Sequence, residues 1–332
     1  MSKPRTLNPV PTPTSATPDT GATTPAEGAG SPSKIDPFKV KRSSSPELPP
    51  SPLLTIGLPT FSTESIAIEG LQSMSFADYQ RDPAVNRSAL DKIALSPAHF
   101  RHYMDHGQEE TTALLQGRLL HALLLEPYSV ATQFAVFTGA VRRGNAWETF
   151  QKENAGKDIV TMAELETAVA QRDALLKNPL VRGALSESMR EASAFWTDDE
   201  TGVACKARFD VVCPRDGGTV GGIAYEIKTT HDISTESFTR DAFKYGYYRQ
   251  AAWYLYGLNA ATGRNYPDFG FIVVEKSAPY GVRVFRLSNE AIDRGYEENM
   301  ANLRLYKSCQ ETGQWPGFPP VIETLELPRW AR

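Results

Sequence analysis

Cysteine is scarce in this chain. The 332 residues hold three, Cys205, Cys213 and Cys309, and no two form a CxxC pair. That spacing argues against a zinc ribbon or a thioredoxin-like redox site. An odd, sparse set fits a reducing cytoplasm better than a disulfide framework, so the expected compartment is cytoplasmic. Long apolar runs are also missing. None approaches the roughly 18 residues that would span a bilayer, and no membrane is expected as a partner. The first residues lack a basic stretch followed by an apolar one, so no secretory signal is expected. No GK[ST] follows Gly217-Gly218 or Gly221-Gly222, which excludes a P-loop. An excess of positive charge is absent too: the formal net charge is -4, which argues against non-specific coating of nucleic acid. An enzyme acting on nucleic acid stays open, because acidic metal ligands lower the total while a local basic groove holds phosphates.

What is present is ordinary for a globular protein, with 41% hydrophobic and 22% charged residues. The distribution is uneven. More than half of the 24 prolines fall in the first 60 residues, among many Ser, Thr and Gly. Such a stretch has too little apolar surface to offset the entropy of ordering. Residues 1–65 are therefore expected to be a disordered tail, and Lys39 to Arg42 reads as part of a solubilising segment or a weak tether. The folded part is expected over residues 74–332. Residues 79–87 read as a loop and 88–104 as a helix, with Ser88 as N-cap and a restart or kink at Ser96-Pro97. A second helix covers 112–125 and stops at Pro127. Residues 134–137 suit a short strand, and 146–156 a partly helical segment. The Thr161 and Glu164 spacing predicts a capping box opening another helix. Strands follow over 191–197, 203–213 and 223–229, then one long helix over 234–261, strands over 269–276 and 282–287, and a closing helix over 289–310.

The chemistry concentrates between Lys206 and Thr230. Asp210 ends one predicted strand, and Glu226-Ile227-Lys228 lies on the next. Residues two apart on a strand share a face, so Glu226 and Lys228 project together. A hairpin between the strands would bring Asp210 beside Glu226. Two carboxylates and an amine in one site suit a hard divalent cation. Such a cation acidifies water and offsets charge on a phosphate under attack, and a neighbouring lysine orients that water. Taken alone, D…ExK is a common chance pattern. Its placement between two strands and before a helix adds weight.

Further residues carry a family resemblance. Gln250-Ala251-Ala252-Trp253-Tyr254, after Tyr225 to Thr230, resembles the QxxxY motif of RecB-type PD-(D/E)XK nucleases, with Gln250 and Tyr254 on one helix face. Asn86 to Leu90, Ser96 to His99, Gly117 to Pro127, Glu191 to Trp196 with Thr201-Gly202, and Leu327 to Trp330 resemble the exonuclease VIII (RecE) group. The resemblance covers residues 74–332. It implies an α/β fold, a PD-(D/E)XK restriction-endonuclease-like core with a mixed central sheet flanked by helices. It further implies Mg²⁺-dependent hydrolysis, with Mn²⁺ as a substitute, of linear double-stranded DNA from an end, 5′ to 3′. A single-strand annealing protein and a ring-shaped homo-oligomer are the implied partners.

Roles follow by position from the resemblance. His121, Asp210, Glu226 and the Ile227 carbonyl match metal ligands, Lys228 the catalytic lysine, and Glu191 an acidic contact to water or a second metal. Gln250 and Tyr254 match residues that hold the lysine or a phosphate. Helix-to-sheet packing is the simpler account of Tyr254, and a half-buried helix histidine that of His121. Two departures stand out. Glu226 occupies a position where many relatives have Asp, and Phe209 stands where the motif name has proline. Rival readings are a RecB- or Cas4-like nuclease of other polarity, or a non-catalytic DNA-binding module. Three cysteines speak against the four-cysteine cluster of Cas4. Arg142-Arg143 in the loop before Trp147, and Tyr245 to Arg249, are further surfaces for phosphate contact or base stacking, or solvated and core-packing residues respectively.

Overall fold

Short polar side chains start most helices of the computed structural model, which describes residues 52–55, 65–215 and 222–327. A two-residue strand, β1 (Gln72–Ser73), precedes α1 (Phe76–Arg81), whose N-cap Ser75 accepts the Asp78 amide. Part of the stretch expected as a loop is thus helical. Helix α2 (Arg87–Leu95) is capped by Asn86, not by Ser88, and the Asn86 side chain accepts the Ala89 amide at 2.9 Å. Asn86 serves because its backbone is extended while Ser88 is already helical. Ser96 then caps α3 (Pro97–His106), and Pro97 sits at its first turn, where no amide partner is required. Helix α4 (Thr112–Leu125) has the expected bounds. After α5 (Val130–Gln133) come β2 (Phe134–Phe137), α6 (Asn145–Glu153), β3 (Asp158–Thr161), α7 (Met162–Lys177) and α8 (Pro179–Ser186). The Thr161–Glu164 capping box forms as expected. Strand β3 and helix α8 were not expected; four and eight residues are too short to display a period. Of the segment read as a disordered tail, only residues 52–55 and Ser65 lie among the described residues. Pro52–Thr55 is a 3₁₀ turn, and Leu53 packs with Leu119 and Phe134. The end of the Leu327 to Trp330 motif, from Pro328 on, and the glycines of 216–221 lie outside the described residues.

The second half builds the main sheet from β4 (Met189–Thr197), β5 (Ala204–Cys213), β6 (Ile223–Thr230), β7 (Asp268–Glu275) and β8 (Val282–Arg286). Strand order is β1-β4-β5-β6-β7-β8; β6 and β7 run parallel and every other pair is antiparallel. The sheet is mixed and flanked by helices, as expected. The connection between β6 and β7 holds α9 (Thr235–Lys244) and α10 (Tyr247–Thr262), and α11 (Asn289–Thr312) closes the described fold. The single helix expected over 234–261 is broken at Gly246, whose φ of +66° is left-handed. Aromatic residues on both sides keep a helical look in the sequence and hide this break.

Both sheet faces are covered. On one side α2, α10 and α11 bury Leu90, Ile93, Trp253, Leu258 and Leu303 against Ala207, Phe209 and Phe271. On the other, α4, α7 and α8 bury Leu120, Leu124, Leu175 and Leu185 against Val211, Ile227 and Ile272. Covered on both faces, β7 is apolar without alternation. The opposite side of α4 packs Leu119 and Leu123 on the small parallel pair of β2 and β3. Helix α4 is thereby wedged between two cores. No helix among the described residues is long and apolar enough to cross a membrane.

Helix α11 reaches α10 through a glycine. A Cβ at Gly295 would run into the Tyr248 carbonyl and the Ala252 side chain. The obstacle is backbone and cannot rotate away. Gly295→Val is expected to lower the unfolding free energy by about 2–3 kcal/mol through overpacking, measured as a shifted urea midpoint.

Candidate active site

Three acidic residues share one row of the sheet. Strands β4 and β5 pair Arg190 with Val211 and Ala192 with Phe209, which leaves Glu191 and Asp210 opposite one another. Strands β5 and β6 pair Val211 with Tyr225, and one further step sets Asp210 against Glu226. The ladder ends before that step. Instead, Asp210 Oδ2 accepts the Ile227 amide at 2.7 Å, so a side chain takes the place of a backbone partner where the strands part. The in-out alternation also breaks here. Met189 and Ala192 both enter the larger core, as do Phe209 and Val212, and strict alternation cannot place both members of either pair there. On β4 the cause is Glu191, whose φ of +49° is left-handed. That conformation costs a non-glycine residue of order 1–3 kcal/mol and tends to be kept where function needs it.

Helix α4 brings His121 to this row. Its Nδ1 lies 3.4 Å from Asp210 Oδ1 and 3.9 Å from Glu191 Oε1. The ligand atoms of His121, Glu191 and Asp210 all fall within 4.8 Å of one another, the one such trio among the described residues. Burial alone would lower the imidazole pKa, but Asp210 and Glu191 carry it well above its usual value. Burial would likewise raise the Asp210 carboxyl. The His121 and Lys228 charges and the Ile227 amide hold it below the usual carboxylate range. One imidazole nitrogen and two carboxylates suit a divalent cation such as Mg²⁺ or Mn²⁺. The residues present therefore fit a metal.

Beside the trio, Glu226 Oε2 accepts from Lys228 Nζ at 2.8 Å and from Gln250 Nε2 at 2.9 Å. Burial first, then the Asp210 charge, pushes the Glu226 carboxyl up to about 7 against the pull of Lys228. Burial would lower the Lys228 pKa, but Glu226 and Asp210 raise it above its usual value, so the amine stays charged. The Tyr254 ring packs edge-on against Phe209 and Phe269. Burial, followed by the Glu226 charge, drives its hydroxyl pKa well above normal. Helix packing and site support thus coincide in Tyr254. Ile227 offers its amide to Asp210, while its side chain joins the core beneath α4.

Arg208 and Glu126 adjoin the site without having been expected there, and so does Tyr247, from the stretch read as a stacking or core-packing surface. Buried Arg208 donates from Nε to Glu191 Oε2 at 2.8 Å and from Nη1 to the Met74 carbonyl at 2.8 Å. Glu126 Oε1 stands 3.9 Å from the same guanidinium, and burial followed by the Glu191 charge raises its pKa. The Tyr247 ring lies 5.0 Å from Lys228 Nζ. One signal was readable: Lys206, Arg208 and Asp210 alternate along a strand otherwise made of buried residue types. By contrast, Arg142 is engaged with Glu164 and lies over Trp147, remote from the trio in its contacts.

Residues 87–326 match the family model described as "PDDEXK-like domain of unknown function (DUF3799)". Among solved structures, a crystal structure described as "Putative exonuclease" from Eubacterium rectale aligns with a TM-score of 0.53 at 13% sequence identity, covering 77% of this chain and 96% of that one. At that identity the likeness is one of fold. The crystal structure of SSO0001 aligns at 14% identity over 64% of this chain and 84% of that one, with a TM-score of 0.25 that supports no argument. No curated protein matches the chain significantly.

Asp210→Asn separates charge from structure, because the amide oxygen still accepts from Ile227 while the negative charge is gone. Mn²⁺ affinity by titration calorimetry is expected to fall at least about ten-fold, the loss typical even of residues one layer beyond the ligands. The far-ultraviolet circular dichroism should stay that of the wild type.

Proposed function

The chain belongs to the PDDEXK-like domain family (DUF3799), and on that premise we propose that it is a Mg²⁺-dependent exodeoxyribonuclease acting on ends of linear double-stranded DNA. The observation that carries this reading is the His121–Glu191–Asp210 trio set beside a lysine that Glu226 holds in place. In this reading His121, Asp210 and Glu191 hold the cation, with Glu226 and the Ile227 carbonyl as further ligands. A divalent cation bound there supplies Lewis acidity toward a phosphate oxygen and makes water acidic enough to attack near neutral pH. Lys228 remains an ammonium, donates to the attacking water and offsets charge on the phosphate. Gln250 and Tyr254 position that lysine through Glu226. Arg208 neutralises Glu191 and keeps its carboxylate turned toward His121.

Exonuclease action in the 5′-to-3′ direction rests on the resemblance to the exonuclease VIII group. The same resemblance supports a role in phage-type DNA recombination, with an annealing protein as partner and a ring-shaped homo-oligomer enclosing the DNA. The nuclease domain is read as residues 74–332. Lys228→Ala is expected to cut Mg²⁺-dependent nucleotide release from linear duplex DNA by about 10²–10³-fold while DNA binding persists. Equal rates in both proteins would favour a DNA-binding module without catalysis. Duplexes labelled at the 5′ or the 3′ end report polarity in the same assay.

A further inference from the structure

The elbow between α9 and α10 presents aromatic rings to solvent next to the lysine. Tyr245 is 50% exposed and Phe243 is 44% exposed. Their surroundings are rigid. Arg87 Nη2 donates to the Tyr245 carbonyl at 2.8 Å and to the Gly246 carbonyl at 2.9 Å. Asp91 holds that guanidinium at 2.7 Å and also pairs with Arg249 at 3.2 Å. Gly246 is left-handed, and a Cβ there would meet both the Arg249 and the Arg87 guanidinium. The backbone of the turn is thus held by Arg87, with the Arg249 guanidinium packed beside Gly246, and the exposed ring projects from it.

The ring is also connected to the reaction centre. Tyr245 and Tyr247 have centroids 5.9 Å apart, and Tyr247 in turn lies 5.0 Å from Lys228 Nζ. Only one ring separates Tyr245 from the lysine. The exposed Lys244 ammonium lies over the Tyr245 ring, 5.1 Å from its centroid, so a base that takes this face moves a long, solvated cation aside toward a neighbouring phosphate. Alternating cations and aromatic rings are what an unpaired nucleic-acid strand recognises, because every base has a π-face and every linkage a negative charge. A folded core would bury such rings, and here the backbone that carries Tyr245 is held by Arg87. Tyr128 and Phe318 are exposed as well, but neither has a ring path to Lys228.

We infer that Tyr245 is a stacking platform for an unpaired base of the strand whose phosphate reaches Lys228, with Lys244 contacting an adjoining phosphate. This inference rests on the nuclease reading above and narrows its substrate to DNA ends whose terminal bases are open. Tyr245 is a binding residue here and takes no part in the bond cleavage.

The test uses the full chain with Mg²⁺ and linear duplexes bearing a short single-stranded end. Tyr245→Ala should raise KM about ten-fold, the order expected for one lost base–aromatic stack, with kcat within about two-fold. Tyr245→Phe keeps the ring and should recover a wild-type KM. A duplex carrying 2-aminopurine in its open end should lose fluorescence on binding the wild type and Tyr245→Phe, and keep it with Tyr245→Ala. Unchanged KM and unchanged quenching in Tyr245→Ala overturn the platform and leave the nuclease reading intact. A wild-type protein that neither binds nor cleaves these duplexes overturns both.

Discussion

The hydrogen bond from the Ile227 amide to Asp210 Oδ2 is the interaction on which the site depends. It ends the β5–β6 ladder at Val211 and Tyr225 without leaving a buried amide unpaired, which would cost about 1–3 kcal/mol. Two strands can then part inside a sheet, and the gap is where charged side chains meet. The same bond fixes the Asp210 carboxylate by one oxygen and leaves Oδ1 toward His121. Orientation and strand separation come from one contact.

Charge balance is the second constraint. Asp210 and Glu226 are buried, with Glu191 half-buried beside them. Carboxylates so placed repel one another and lose their hydration, so an unpaired set would be strongly destabilising. Each is answered by a different cation: Glu191 by Arg208, Asp210 by His121, Glu226 by Lys228. The answers differ in kind. Arg208 is anchored at both ends, to Glu191 and to the Met74 carbonyl, which makes it a permanent part of the frame. His121 is only half-buried and reaches two carboxylates at longer range. Protonated, it balances the same negative charge that a divalent cation would, and a metal ligand must give up that proton. Cation binding therefore displaces the His121 proton and leaves the Arg208–Glu191 and Lys228–Glu226 pairs in place.

Part of this was legible in the sequence. A strand period of two put Glu226 and Lys228 on one side, and a helix period put Gln250 and Tyr254 on another; the structure shows the first pair in contact, Gln250 bonded to Glu226, and Tyr254 packed on Phe209 and Phe269. The mixed sheet was implied by the family resemblance, and the strands form one. What remained hidden depends on pairing. The left-handed backbone at Glu191 has no signature in Arg190-Glu191-Ala192, since it arises where β4 lies against the parting end of β5. Arg208 resembles any exposed cation of an alternating strand until Glu191 and Met74 are placed around it. The break at Gly246 was masked by Phe243, Tyr247 and Tyr248, residues that suit a helix as well as its interruption.

Helix α10 explains why the polar network keeps its shape. Tyr247, Gln250 and Tyr254 recur at i, i+3 and i+7, a single stripe toward the sheet. Beside this stripe, Ala251, Leu255 and Leu258 give the apolar packing that holds the helix down. From behind, Gly295 allows α11 to rest on the Tyr248 carbonyl, and Asn299 donates to the Arg249 carbonyl at 2.7 Å. The first turn of α10 is therefore clamped on two sides, by α11 and by the Arg87 contact at the elbow. A shift of the helix would displace Gln250 from Glu226 and Tyr247 from Lys228 together. In a buried network each polar group left unpaired is costly, so the lowest-energy position of α10 is the one in which the lysine is aimed. Tyr247 and Tyr254 keep apolar contacts with Phe271, Phe209 and Phe269, so the stripe gives up packing only at Gln250, and what it gains is a charged amine with one direction to point.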